Sequence, residues 1–153
     1  KLLSLISDKT SVYIGESEQD FLELKNQVIA TPDDFMIVFP TEKAQTWQQH
    51  INNQQGFISP KHLIVIDGTW KKAKKIVYLN PWLTQLKALK LESIKSEYDI
   101  RKTNIADSLS TIEATAAALN IIEGLTTEPF QQALMGLNSS FTKLMPEHVK
   151  KRY

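Results

Sequence analysis

Asp67 is the residue whose type and position suggest chemistry most directly. It stands in the run Asp67-Gly68-Thr69-Trp70, after an apolar, β-branched-rich segment and before a segment with helical spacing. A carboxylate at the end of a strand, placed where burial raises its pKa, can act as a general base, or it can hold the ammonium group of a ligand. Aspartate is also common in turns and caps at such a position. Catalytic and structural interpretations of Asp67 are therefore both open.

Glu113 presents the same choice in a second segment. Ser110-Thr111-Ile112-Glu113 has the spacing of a capping box, in which the glutamate side chain reaches back to the N–H of the capping residue. The free N–H groups at a helix start also suit a carboxylate or a phosphate. A third loop, Phe39-Pro40-Thr41, ends another apolar run. We expect the loops at 39–41, 67–70 and 109–113 to line one pocket.

The elements that must position these loops alternate between strand and helix. Strands are predicted at two β-branched-rich runs and, more weakly, at two further ones: residues 35–39, 63–66, 12–14 and 86–91. Helical spacing is found at 21–29, 44–51, 69–78 and 110–122, with Gly124 as a stop after the last of these. This order predicts an α/β domain with a mostly parallel sheet flanked by helices. Ligands of such sheets bind at the carboxyl ends of the strands, where the loops would lie.

Composition limits the classes of function. A chain of 153 residues with 42% hydrophobic residues suits a single domain with one core. The 18 Lys and Arg nearly balance the 17 Asp and Glu, so any RNA-binding surface must be a local patch. There is no cysteine and the three histidines are scattered, so no metal site is expected. No run approaches the roughly 20 apolar residues of a membrane span, and no secretory signal is recognisable, so a cytoplasmic protein without a membrane partner is expected.

The segment at 69–78 supplies a local basic patch. Its lysines lie mostly opposite its apolar side chains: Lys71, Lys72, Lys74 and Lys75. Such a face is usually only solvated, but its closeness to the expected pocket favours RNA contact. Arg101 and Lys102 form a further basic pair that suits the carboxylate of a ligand or an RNA phosphate. Trp70 lies on the apolar side of the helix, where a tryptophan is more often a core anchor than a stacking platform.

Four segments in order resemble the DTW-domain family: Asp67-Gly68-Thr69-Trp70, Asn80-Pro81-Trp82-Leu83, Ser96 with Tyr98, Ile100, Arg101 and Lys102, and Ser110-Thr111-Ile112-Glu113-Ala114. The resemblance spans residues 1 to about 123. It implies a SPOUT-like, trefoil-knotted domain whose knot loops hold S-adenosylmethionine (SAM). It also implies transfer of the 3-amino-3-carboxypropyl group from SAM to N3 of a uridine in tRNA. Family members usually carry a cysteine-rich N-terminal segment that looks zinc-binding, and the sequence leaves open whether such a segment was removed, is disordered or was never present.

The resemblance assigns roles to individual residues. Asp67 and Glu113 are the catalytic candidates, with Asp67 either accepting the N3 proton or holding the amino group of SAM. The residues expected to bind SAM are Phe39, Pro40, Thr41, Asp67, Gly68, Thr69, Trp70, Leu109, Ser110 and Thr111. The residues expected to contact RNA are Lys71, Lys72, Lys74, Lys75, Arg101 and Lys102. No metal is assigned, and the oligomeric state is not indicated.

Three other functions are compatible with the sequence. A SPOUT-type RNA methyltransferase needs the same fold and co-substrate. A non-catalytic RNA-binding module would use only the basic helix face. An α/β domain with an unrelated small-molecule ligand is permitted by composition, although four ordered motifs argue against it.

Overall fold

The computed structural model describes residues 9–53, 56–91, 111–133 and 135–136. The helices are α1 (Leu22–Ala30), α2 (Trp47–Asn53), α3 (Trp70–Leu79) and α4 (Thr111–Glu123). The strands are β1 (Phe35–Val38), β2 (His62–Val65) and β3 (Lys87–Leu89). Short 3-10 helices at Gln19–Phe21, Pro32–Asp34 and Pro81–Gln85 precede α1, β1 and β3. Strands and helices therefore alternate as predicted.

The three strands form one parallel sheet in the order β2-β1-β3. Val38, at the end of the central strand, lies opposite Val65 of β2 and Leu89 of β3. The prediction of an α/β domain with a parallel sheet is confirmed. Because the strands are parallel, their last residues meet at one side of the sheet, here called the carboxyl edge.

Both faces of the sheet are covered, since alternate side chains of a strand point in opposite directions. Phe35 and Ile37 of β1 lie on the face of the sheet that α1 and α3 cover. There they pack in one core cluster with Val28 of α1 and Ala73 of α3. On the opposite face Met36 packs with residues of α2 and α4, namely Trp47, Ala118 and Ile122. The sheet is thus a middle layer between helices, and Met36 and Ile37 are fully buried in it.

The connections diverge at the carboxyl edge. The chain runs from β1 through α2 to β2 on one side, and from β2 through α3 to β3 on the other side of β1. Right-handed crossovers in opposite directions place their helices on opposite faces of a sheet, which is where α2 and α3 lie. The loops after β1 and β2 therefore separate and leave a crevice of the kind that binds ligands in open α/β sheets.

One predicted strand is wrong. Residues 12–14 form no strand, because only Tyr13 packs against the core, whereas Val12 is 55% and Ile14 is 89% exposed. One inward side chain in three gives too little burial to hold the segment against a sheet. The weaker strand prediction at 86–91 is confirmed by β3, and the predicted stop at Gly124 by its left-handed φ of 67°.

The trefoil knot remains a prediction. Residues 92–110, which connect β3 to α4, lie outside the described residues. Residues 128–133 and 135–136, beyond Gly124, are also helical.

Candidate functional site

Two of the three loops expected to share a pocket are joined by a side-chain hydrogen bond. The Thr111 hydroxyl donates to Asp67 Oδ1 over 2.6 Å. Asp67 follows β2 at the carboxyl edge, and Thr111 is the first residue of α4, which contacts both β1 and β2. The packing of α4 on the sheet therefore delivers its first residue to the end of β2.

The third loop joins through an aromatic pair. The rings of Phe39 and Trp70 are stacked, with centroids 5.2 Å apart and planes at 26°. Phe39 follows β1 and is buried, so its ring is held by the core, whereas Trp70 is 46% exposed. The interpretation of Trp70 as a core anchor is wrong. Trp70 opens α3 beyond the edge of the sheet, and Ala73, one turn further, fills the core position instead.

The turn between β2 and α3 is built by two residues with local roles. Gly68 has a φ of 150°, which L side chains rarely adopt, so the predicted tight turn requires glycine. Thr69 is the N-cap of α3, as expected, because its hydroxyl accepts a hydrogen bond from the N–H of Lys72 at 3.3 Å. N–H groups earlier in the same turn have no partner within the helix and point toward the carboxyl edge.

Asp67 is exposed, so the burial expected to favour its function as a base is not provided by the described residues. The Thr111 hydroxyl holds one carboxylate oxygen, and the other oxygen has no hydrogen bond to a described residue. Glu113 is half-buried in the first turn of α4, two residues after Thr111. Ser110, the capping residue of its expected capping box, lies outside the described residues together with Leu109, Arg101 and Lys102.

The turn after β1 carries an unused polar group. The N–H of Thr41 donates to the Phe39 carbonyl at 2.9 Å, and the Thr41 carbonyl accepts from the N–H of Ala44 at 3.0 Å, with exposed Pro40 at the bend. The Thr41 Oγ1 is buried and finds no hydrogen-bond partner among the described residues. An unsatisfied buried hydroxyl costs about 1–3 kcal/mol, so it marks a position where a bound molecule can contribute a partner.

The basic face of α3 is divided. Lys75 pairs with Glu16 at 2.5 Å, and this hydrogen bond and charge hold the pKa of Glu16 below its usual value. The Lys74 ammonium lies over the Trp70 ring, 5.3 Å from its centroid. Lys71 and Lys72 are exposed beside the site. The RNA-binding face of four lysines stays a prediction, and Lys75 differs from the others because it is paired with a carboxylate from another part of the chain.

Sequence reasoning missed one cation at this edge. Lys43 lies two residues after Thr41, is exposed, and forms no ion pair with a described residue. Its position in a loop already assigned to the pocket was the available signal.

Other features of the described chain lie elsewhere or carry no chemistry. Among the residues that the structure describes, no three His, Asp or Glu side chains lie close enough together to hold a metal ion. In the same part of the chain no helix has the length and apolar character needed to span a membrane. An apolar groove of about 200 Å³ lies at the amino ends of β1 and β3, on the far side from Asp67. It is lined by Val28, Ile29, Pro32, Trp82, Gln85 and Leu86.

Curated relatives of the chain carry one name. The protein called tRNA-uridine aminocarboxypropyltransferase 2 is 32% identical over 120 residues in Macaca fascicularis, 31% over 117 in Mus musculus and 40% over 125 in Drosophila melanogaster. These matches cover 78%, 76% and 79% of this chain but 40%, 39% and 47% of the relatives. The chain thus spans less than half the length of the relatives it matches. No solved structure matches it.

The family model of the DTW domain matches residues 1–146, nearly the whole chain. The match includes every segment brought together at the carboxyl edge, from the turn at Phe39 to the start of α4. This chain belongs to the DTW domain family.

Proposed function

We propose that this protein transfers the 3-amino-3-carboxypropyl group of SAM to N3 of a uridine in tRNA. The observation that carries the proposal is the convergence of two motif segments, far apart in the sequence, through the hydrogen bond between Thr111 and Asp67 at the carboxyl edge. The names of the relatives support an aminocarboxypropyl group as the group transferred and a uridine in tRNA as its acceptor. The donor and the N3 position come from the resemblance to the family.

The residues at the carboxyl edge fit SAM in their chemistry. The Asp67 carboxylate suits an ammonium or sulfonium group, and the buried Thr41 Oγ1 has a hydrogen bond still to make. The N–H groups at the start of α3 suit a carboxylate, because the helix dipole favours negative charge there. When bound, SAM supplies a sulfonium centre that makes the adjacent carbons electrophilic.

The protein's own contribution is orientation and proton removal. Uridine N3 must lose a proton as it forms its bond to the γ-carbon of the methionine part of SAM. The bond from that carbon to sulfur breaks, and 5′-methylthioadenosine leaves. Asp67 accepts the N3 proton on the carboxylate oxygen that Thr111 does not hold. An exposed carboxylate can reach an RNA base, and the closing of the complex around it then supplies the desolvation that strengthens a base.

The by-product tests this reaction directly. Protein, tRNA and SAM are incubated together, and the nucleoside products are separated by chromatography. The proposal predicts 5′-methylthioadenosine that depends on both tRNA and Asp67. Release of S-adenosylhomocysteine would instead identify an RNA methyltransferase, and SAM-independent tRNA binding without either product would identify a binding module.

A further inference from the structure

We infer that Trp70 is a platform on which an unpaired base of the tRNA stacks. The identity of the RNA rests on the proposed function, whereas the stacking itself rests on the geometry around the Trp70 ring. The resemblance assigns Trp70 to the SAM site, and the arrangement of its two faces points instead to the RNA.

One face of the Trp70 ring is fixed by the protein. It stacks on Phe39 at 5.2 Å, and Phe39 is only 9% exposed, so the indole is backed by the core. Nearly half of the indole nevertheless remains exposed, at 46%. A large aromatic side chain that is both rigid and exposed is ready to bind a flat apolar partner without losing conformational freedom.

Among the described residues, the other group placed over the Trp70 ring is a lysine ammonium. Lys74 Nζ lies 5.3 Å from the ring centroid, and the Lys74 side chain is exposed. A cation on an exposed ring is weakly held, and the lysine stem is flexible. An incoming base can take over the ring face while the ammonium moves to the adjacent phosphate. Both groups then gain a partner that the free protein does not give them.

The surrounding charge suits a nucleic-acid strand. Lys71 and Lys72 follow Trp70 directly on α3, and Lys43 lies in the loop that begins at Phe39. Proteins that bind single-stranded nucleic acid combine such cations with aromatic rings on which bases stack. Paired bases inside a helix present no free face, so a stacking platform selects an unpaired nucleotide.

Tyr78 offers a matched control within the same helix. It is 82% exposed and lies eight residues after Trp70, and the ring contacts found among the described residues do not include it. Removal of the Tyr78 ring therefore reports what the loss of an exposed aromatic side chain does by itself.

The test measures RNA affinity without transfer. Binding of a labelled RNA hairpin with a uridine-containing loop, and of a fully paired RNA duplex, is followed by fluorescence anisotropy in the absence of SAM. The variants are Trp70→Ala, Trp70→Phe and Tyr78→Ala, each checked for folding by circular dichroism. SAM affinity of each is measured separately by calorimetry.

We expect Trp70→Ala to weaken hairpin binding about tenfold, the loss typical of one stacked base. Trp70→Phe should retain most of the affinity, and Tyr78→Ala should bind as the unaltered protein does. Duplex binding should not change in any variant, and Tyr78→Ala should keep the SAM affinity of the unaltered protein.

The inference is overturned by unchanged hairpin binding in Trp70→Ala, by an equal loss in Tyr78→Ala, or by failure of the unaltered protein to bind the hairpin. A loss confined to SAM affinity would assign the ring to the adenine of the co-substrate. If the stacking effect is present but no modified uridine forms, the proposed function fails while this inference stands.

Discussion

The side chains of Thr111 and Asp67 meet in a 2.6 Å hydrogen bond although they are 44 positions apart in the chain. The bond engages Asp67 Oδ1, so it orients the carboxylate, and within the described part of the chain the other oxygen has no hydrogen-bond partner. Thr111 thus has a positioning role for Asp67 in addition to its place among the residues expected to bind SAM.

Thr111→Val should slow transfer about 10–100-fold, because a hydrogen bond to a charged group is worth about 1.5–3 kcal/mol and valine keeps the shape of threonine. The KM for SAM should change little if Thr111 acts through Asp67, whereas a rise in this KM would show the direct contact with SAM that the resemblance implies. Thr111→Ser should restore the rate, since it keeps the hydroxyl. Thr115→Val is the matched control, as the Thr115 hydroxyl donates to the Thr111 carbonyl at 2.7 Å within the same helix. Equal rates for Thr111→Val and the unaltered enzyme would contradict the positioning role.

Asp67→Asn should abolish or severely reduce transfer while the protein stays folded. Asparagine keeps the size of the side chain and can still accept the hydrogen bond from Thr111, but it cannot accept the N3 proton. A general base contributes typically about 10²–10⁴-fold, and a loss in that range with SAM affinity retained supports proton transfer. If SAM affinity falls with the rate, Asp67 holds the ammonium group of SAM. Near-normal activity would remove Asp67 from the site and make Glu113 the leading candidate, tested by Glu113→Gln.

Changing Lys71 and Lys72 together to Gln should weaken tRNA binding and reduce its salt dependence by about one unit of log–log slope per lysine, since phosphate contacts release counterions. SAM affinity should stay nearly unchanged. Lys75→Gln should have a smaller effect, because Glu16 already binds the Lys75 ammonium. Filter binding across a salt series measures the tRNA affinity of the unaltered protein, the double variant and Lys75→Gln. If the salt slope of the double variant is unaltered, Lys71 and Lys72 do not contact RNA phosphates and their face is an ordinary solvated surface.

The limits of sequence reasoning are clearest at α3. The strands around it were predictable because β1 and β2 are short apolar runs rich in β-branched residues, and the Thr69 cap was predictable because capping is local. Periodicity also predicted which side of α3 is apolar, but it could not predict where the helix begins relative to the edge of the sheet. That offset places Trp70 outside the core and Ala73 inside it.

Contacts between residues far apart in the sequence could not be predicted from sequence patterns either. The ion pair between Lys75 and Glu16 joins residues 59 positions apart, and no sequence pattern relates them. The convergence of Asp67 with the start of α4 was expected only because parallel strands share a carboxyl edge. The hydrogen bond between Thr111 and Asp67 itself was not predicted and is known only from the structure.

Asp20→Asn should destabilise the protein at neutral pH and much less in acid. The Ser17 hydroxyl and the N–H groups of Glu16 and Ser17 donate to Asp20 Oδ2, and these bonds hold the pKa of Asp20 below its ordinary 3.8. A lowered folded-state pKa means that the charged form stabilises the fold above the unfolded pKa, and that this stability is lost as pH falls through the folded value.

Urea unfolding of the unaltered protein and of Asp20→Asn, at pH 7 and near pH 3, measures the difference in their free energies of unfolding. The matched control is Glu42→Gln, an exposed loop carboxylate without a hydrogen bond or ion pair to any described residue. The difference between Asp20→Asn and the unaltered protein should be largest at pH 7 and shrink in acid. A difference that is constant with pH would contradict the assigned hydrogen bonds.

Mass spectrometry of nucleosides shows whether this DTW-domain chain modifies a uridine of tRNA with the aminocarboxypropyl group of SAM. The tRNA is incubated with protein and SAM, digested and compared with a sample that received the Asp67→Asn variant. We expect a uridine that gains the mass of one 3-amino-3-carboxypropyl group, with N3 substituted, in the sample with the unaltered protein, and little or none of it with the variant. A methylated uridine, or unmodified tRNA from a protein that binds both SAM and tRNA, would contradict the proposed transfer.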